Sequence, residues 1–199
     1  DGLVSILSLT MGVAGATNSK PAILIAGLAG VLAGAGSMAL GEWLSVQSSR
    51  ELYEHQIKIE AEEIAANPDE EQEELALIYQ SKGLPEDRAK ELALHMMADK
   101  GSILDTLARE ELGIDPEELG GSAYEAAFAS FFLFAFGALF PMLPYFFLTG
   151  STAIIARLIV SAIGLFIIGA AITLMTGRSV LFSGTRQVIV GVAAALLTY

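Results

Sequence analysis

Cysteine is absent from the 199 residues. That excludes disulfides and thiolate metal sites, and it leaves carboxylate, thioether, histidine and carbonyl groups as metal donors. Histidine occurs only at His55 and His95. No glycine-rich phosphate loop and no Ser-His-Asp set stands in the chain, so an enzyme is not expected. Basic residues are scarce, with 11 Lys and Arg against 23 Asp and Glu. Such a chain is repelled by nucleic acid and anionic lipid and attracts cations instead.

Charge is also missing from long stretches, which a soluble domain of this size does not show. The acidic excess is confined to one place. From Arg50 to Gly121 there are 20 acidic and 7 basic residues, a balance of -13. The rest carries Asp1, Glu42 and Glu125 against Lys20, Arg157, Arg178 and Arg186, a balance of +1. The chain opens on Asp1 and closes on Tyr199, each within an apolar run, and both ends read as cuts through membrane spans.

A helix needs roughly 20 apolar residues to cross about 30 Å of hydrocarbon. Leu3 to Ala16 reads as the remainder of a first span. Thr17 to Pro21 is a polar turn, and Ala22 to Leu40 is a second span rich in Gly and Ala, with Gly30 and Gly34 at the spacing that lets helices approach closely. No strong breaker follows until Asn67-Pro68, so this span is expected to run on out of the membrane as one helix. Asp69 is expected to cap a helix over 70–81, Gly83 to stop it, Pro85 to start another to about Asp99, and a short one to end at Leu112 before Gly113. Leu75, Ile78, Tyr79, Leu92, Leu94, Met96, Ile103, Leu104 and Leu107 supply an apolar stripe for these helices. Ala123 to Leu148 is a third span, in which Pro141 and Pro144 should produce a kink or an end. Gly150-Ser151-Thr152 reads as a tight turn, Ala153 to Thr176 as a fourth span, Gly177 to Thr185 as a polar connection, and Gln187 to Tyr199 as the start of a fifth.

The expected fold is therefore an all-α membrane protein. It has five transmembrane helices and a cytosolic acidic insert of three to four helices between the second and third. The parts are 1–48 (spans one and two), 49–121 (insert) and 122–199 (spans three to five). Arg50, Lys58, Arg178 and Arg186 fall on the side of the insert and Lys20 and Arg157 on the other, which favours a cytosolic insert.

A carboxylate in or beside a span is costly unless it faces a cavity or a partner, which singles out Asp1, Glu42 and Glu125. Met38 and Glu42 are four apart and share a helix face. They could offer a soft and a hard ligand to Fe2+, or Met38 could fill a packing gap while Glu42 snorkels. In the insert Glu60 with Glu63, and Glu71 with Glu74, are i, i+3 pairs on helices that the Asn67-Pro68 turn folds toward each other. Four converging carboxylates suit Fe2+, Mn2+, Mg2+ or Ca2+; the alternative is a solvated acidic face. His55, about a turn and a half before Glu60, could support such a site, or be structural.

These residues resemble the vacuolar iron transporter family. The resemblance is carried by Asp1-Gly2-Leu3, Gly12-Val13-Ala14-Gly15-Ala16, Gly34-Ala35-Gly36-Ser37-Met38 and Gly41-Glu42-Trp43-Leu44-Ser45. It continues through Glu60-x-x-Glu63, Glu71-x-x-Glu74, Glu111-Leu112-Gly113-Ile114 and Gly137-Ala138-x-x-Pro141-x-x-Pro144-Tyr145. It implies a homodimer in a lipid bilayer that moves Fe2+, with Mn2+ and further divalent ions such as Zn2+ or Co2+ as companions, out of the cytosol in exchange for protons. By position it implies that Asp1 and Met38 line the path and that Glu60, Glu63, Glu71, Glu74 and Glu111 bind metal. Two departures stand out. Plant relatives carry Met where this chain has Leu107, and some carry an acid where it has Gly30, so the insert site is expected to be all-carboxylate and Glu42 to share the role in the path. The missing cysteine and short loops point to a prokaryotic plasma membrane. The competing classes are a membrane-anchored metal sensor or scaffold without transport, and a di-iron oxidase, which the lack of a Glu-x-x-His pair in the insert disfavours.

Overall fold

The computed structural model describes residues 1–17, 19–99, 102–116, 119 and 121–199. Among these, all regular structure is helical: α1 (Gly2–Ala16), α2 (Lys20–Ala66), α3 (Pro68–Ser81), α4 (Glu86–Ala98), α5 (Ile103–Glu110), α6 (Ala123–Phe147), α7 (Gly150–Thr176) and α8 (Val180–Thr198). Four of them, α2, α6, α7 and α8, are long and apolar enough to cross a bilayer. The 15 residues of α1 rise only about 22 Å, short of a full hydrocarbon thickness.

The uninterrupted α2 follows from its sequence, since no proline occurs between Pro21 and Pro68. Several boundaries differ from expectation. Asn67, not Asp69, precedes α3, and Pro68 takes the first turn, where its missing N–H costs nothing. The Asn67 carbonyl accepts from the N–H groups of Glu70 and Glu71 at 3.0 and 3.2 Å, so the turn is set two residues early. Pro141 and Pro144 lie inside α6, which runs on to Phe147. Gly150 to Thr152 belong to α7, and α8 begins at Val180. Gly177 ends α7 with φ 63, a left-handed cap that glycine adopts without strain. The expected connection to Thr185 is therefore only three residues long.

The chain forms two compact units, one of Asp1–Glu42 with Tyr124–Tyr199 and one of Trp43–Ala123. In the first, α1 is the central element. On one side Ile6 packs with Ala35 of α2 and with Phe134, Ala138 and Met142 of α6. On another, Leu7 and Met11 pack with Ala195 of α8, flanked by Ile154 and Leu158 of α7. Close approach depends on glycine: a Cβ on Gly169 of α7 would collide with the backbone of Ser183 and Gly184 in α8. The outward positions carry large apolar side chains such as Phe132, Leu133, Ile159 and Leu174. Helices that satisfy their own backbone and present such a surface are built for lipid.

In the second unit Leu75, Ala76 and Tyr79 of α3, Ala89 and Ala93 of α4, and Ile103 and Leu107 of α5 form one core, against which Ile64 of α2 packs. Leu94 of the expected stripe is 58% exposed. Ala89 and Ala93 are the fully buried residues of α4, and Leu92 and Met96 of the expected stripe pack against the same core.

Candidate metal centre

The site grows from the turn at Asn67-Pro68. The turn reverses the chain and lays α3 against the end of α2, and the apolar core holds the two together. Glu60 on α2 and Glu71 on α3 are thereby drawn inward, 2% and 7% exposed. The third member arrives from α5. Arg109 donates to Asp105 at 3.1 Å and to Asp115 at 2.6 Å, and the Ile114 N–H bonds back to the Ala108 carbonyl at 2.8 Å. Gly113, at φ 66, makes the tight return. Lys82 engages Glu110, which ties the end of α3 to the end of α5 and leaves Glu111 to the cluster.

Glu60, Glu71 and Glu111 each place a carboxylate oxygen so that all lie within 4.8 Å of one another. One oxygen of Glu60, Oε1, is buried without a hydrogen-bond partner. Two like charges at that separation repel by on the order of 3 kcal/mol at a protein-like dielectric. Protons relieve the repulsion when no cation does. Burial first, then the charges of Glu111, Glu71, Glu63 and Glu74, raise the Glu60 carboxyl to about 7. Glu71 is raised by burial and by Glu74 and Glu63, partly offset by its hydrogen bond with Glu60. Glu111 is raised by burial and by Glu74, Glu71 and Glu63.

A divalent ion answers the same need better. Oxygens on opposite sides of a small hard ion lie roughly 4.2 Å apart, at bonds of about 2.1 Å. The triad's oxygens, all within 4.8 Å of one another, are near that spacing, and a buried Glu60 oxygen stands without a hydrogen-bond partner. The donor set is all oxygen, which suits hard or borderline divalent ions.

The expected ligands are thus distributed as follows. Glu60, Glu71 and Glu111 come together; Glu63 and Glu74 are exposed, outside the triad yet close enough to act on it by charge. His55 and His95 are exposed and take no part. Leu107, where plant relatives were expected to differ, is fully buried in the core, so its position serves packing. In the membrane unit Asp1 precedes α1, exposed, and accepts from the Ser5 hydroxyl at 3.4 Å. Met38 is 37% exposed and Glu42 is exposed, both on α2. Sequence reasoning passed over Arg157, which is completely buried in the same unit; its lone positive charge inside an apolar span was the available signal.

Apolar spans around a central short helix, together with a second helical unit carrying a carboxylate triad, define an integral membrane protein with a candidate metal site. The chain matches the VIT family over residues 1–199, and it belongs to that family. It is 32% identical over 203 residues to vacuolar iron transporter 1 of Arabidopsis thaliana, covering all of this chain and 80% of the relative. It is equally similar to vacuolar iron transporter 1 of Oryza sativa subsp. japonica, covering 79% of that protein. A vacuolar iron transporter of Acanthamoeba castellanii is 43% identical over 99 residues, half of this chain and 37% of the relative. Membership supports metal transport as the activity, and a transporter rather than an enzyme.

Proposed function

We propose that this protein is a divalent-metal transporter that carries Fe2+, and Mn2+ with it, out of the cytosol in exchange for protons. The observation that carries the reading is the convergence of Glu60, Glu71 and Glu111 in a soluble unit attached to membrane helices. Family membership and the relatives' names supply iron as the first ion to test. In this reading α1 counts as a fifth span, and the unit over 49–121 lies in the cytosol and raises the local concentration of metal. Two copies pair through α2, where Gly36 and Gly41 have open space beside them within one chain. The ion passes Asp1, Met38 and Glu42, exchanging water for carboxylate and thioether donors, and protonation of Asp1 or Glu42 releases it. Glu63 and Glu74 add attractive charge around the triad. Zn2+ and Co2+ are competitors for the same donors. The relatives are named for the vacuole, which gives the expected prokaryotic plasma membrane no support.

The test is flux of Fe2+ into liposomes, with and without a pH gradient. Asp1→Ala should abolish proton-driven uptake while leaving metal binding by the soluble unit intact. Undiminished flux would remove Asp1 from the path. Metal binding without any flux from the unaltered protein would convert the reading to a sensor or scaffold.

A further inference from the structure

Arg157 of α7 is the one charged side chain buried within the membrane unit among the described residues, with no exposed surface. Its surroundings do not compensate it. The guanidinium lies over the Tyr145 ring of α6, 4.9 Å from the centroid, and Nη2 donates to the Met11 sulfur of α1. Nε and Nη1 have no partner, nor do the Tyr145 hydroxyl and the Ser161 hydroxyl one turn further along α7. No carboxylate pairs with it among the described residues. A permanent charge buried this way costs several kcal/mol, and groups left unmatched in a bundle call for an explanation.

Above Tyr145 a cavity of about 150 Å³ is lined by Thr17, Lys20, Tyr145, Thr149 and Gly150 among others. No acidic residue lines it among the described residues. Lys20 stands there, its ammonium donating to the Phe146 carbonyl at 3.3 Å. The first turn of α7, which has no side-chain cap at Thr149, adds the positive end of a helix dipole. A water-sized opening into a helix bundle is a leak path for protons and cations unless an electrostatic barrier closes it. Lys20 and the first turn of α7 at the cavity, and Arg157 against the far side of the neutral Tyr145 ring, all carry the same positive sign.

We propose that Arg157 is a specificity-determining cation that shuts the interior of the bundle to metal ions and protons, so that transported ions cannot short-circuit through the α1–α6–α7 core. The inference rests on the transport reading in one respect, that the ions excluded include those the protein itself carries.

The experiment compares proton leak into liposomes at an imposed membrane potential, without metal, for the whole chain and three variants. Arg157→Gln should raise the leak about tenfold, the equivalent of about 1.4 kcal/mol of barrier. Arg157→Lys keeps the charge but not the planar stack on Tyr145, and should stay tight. Ser161→Asp places a carboxylate one turn away, neutralises Arg157 without deleting it, and should raise the leak while raising the melting temperature. A purely structural role predicts the opposite pattern: Lys as damaging as Gln, and Ser161→Asp tighter than the unaltered protein. That pattern, or equal leak in all four, overturns the proposal. If the unaltered protein is tight but moves no Fe2+, the transport reading fails and the leak comparison still decides the role of Arg157.

Discussion

Glu60 and Glu111 enter the soluble unit on different helices, yet the charge of Glu111 is the largest single electrostatic influence on the Glu60 carboxyl. An acid whose proton affinity is raised by a neighbouring carboxylate is a candidate cation ligand, and the first predictions turn on that pairing.

The metal-free protein should be more stable at pH 5 than at pH 8. Glu60 is raised from 4.5 to about 7 on folding, so the folded state binds the extra proton. Its contribution is fully present below the unfolded value and is lost as pH rises through 7. The upper bound is on the order of 3 kcal/mol. Glu60→Gln should flatten this dependence, and thermal unfolding in chelator across that range measures it.

Metal binding should release protons, and affinity should fall as pH drops below 7. Calorimetric titration in two buffers of different ionisation enthalpy counts the protons directly. A proton count of zero at pH 6 would mean that Glu60 is not a ligand.

Glu60→Gln, Glu71→Gln and Glu111→Gln should each weaken divalent-ion binding more than about tenfold, a loss near 1.4 kcal/mol. Glu63→Gln and Glu74→Gln should cost only a few-fold, because they act through charge alone. Equal losses at all five positions would argue for five direct ligands.

Leu107→Ala should cost roughly 2–5 kcal/mol through the cavity it leaves beside Leu75 and Tyr79. Metal affinity should fall with it, since the same core holds α5 in place. Leu107→Met conserves volume and should cost less than about 1.5 kcal/mol. Chemical denaturation followed by far-ultraviolet dichroism separates the two.

Gly169→Ala should destabilise the membrane unit by roughly 1–3 kcal/mol, because the added methyl meets backbone of α8 that cannot step aside. Gly36→Ala meets nothing within 4 Å in one chain, so a lower melting temperature in detergent would report the pairing of two copies through α2.

Much of the architecture was legible because its causes are local. The spans follow from uncharged runs, the unbroken α2 from the lack of proline, and the reversal at Asn67-Pro68 from the ring of Pro68. The stretch after Gly177 looks polar enough for a loop, but α8 takes it in because Ser183 and Gly184 pack closely on Gly169 of α7; Gly150, Ser151 and Thr152 are exposed and form the first turn of α7. In α4 Leu92 and Met96 pack on the core as expected, Leu94 faces outward, and the fully buried positions are Ala89 and Ala93, which an apolar stripe drawn through the large side chains passes over.

The sequence by itself determined that this is a helical membrane protein with an acidic helical segment between its apolar runs, since charge and hydropathy are written residue by residue and need no partner to be read. Only the tertiary structure decided which of five glutamates meet, and that Arg157 is buried without a counter-charge. Both depend on which helix faces lie together across long stretches of chain, and helical spacing places a side chain on a face without saying what that face will touch.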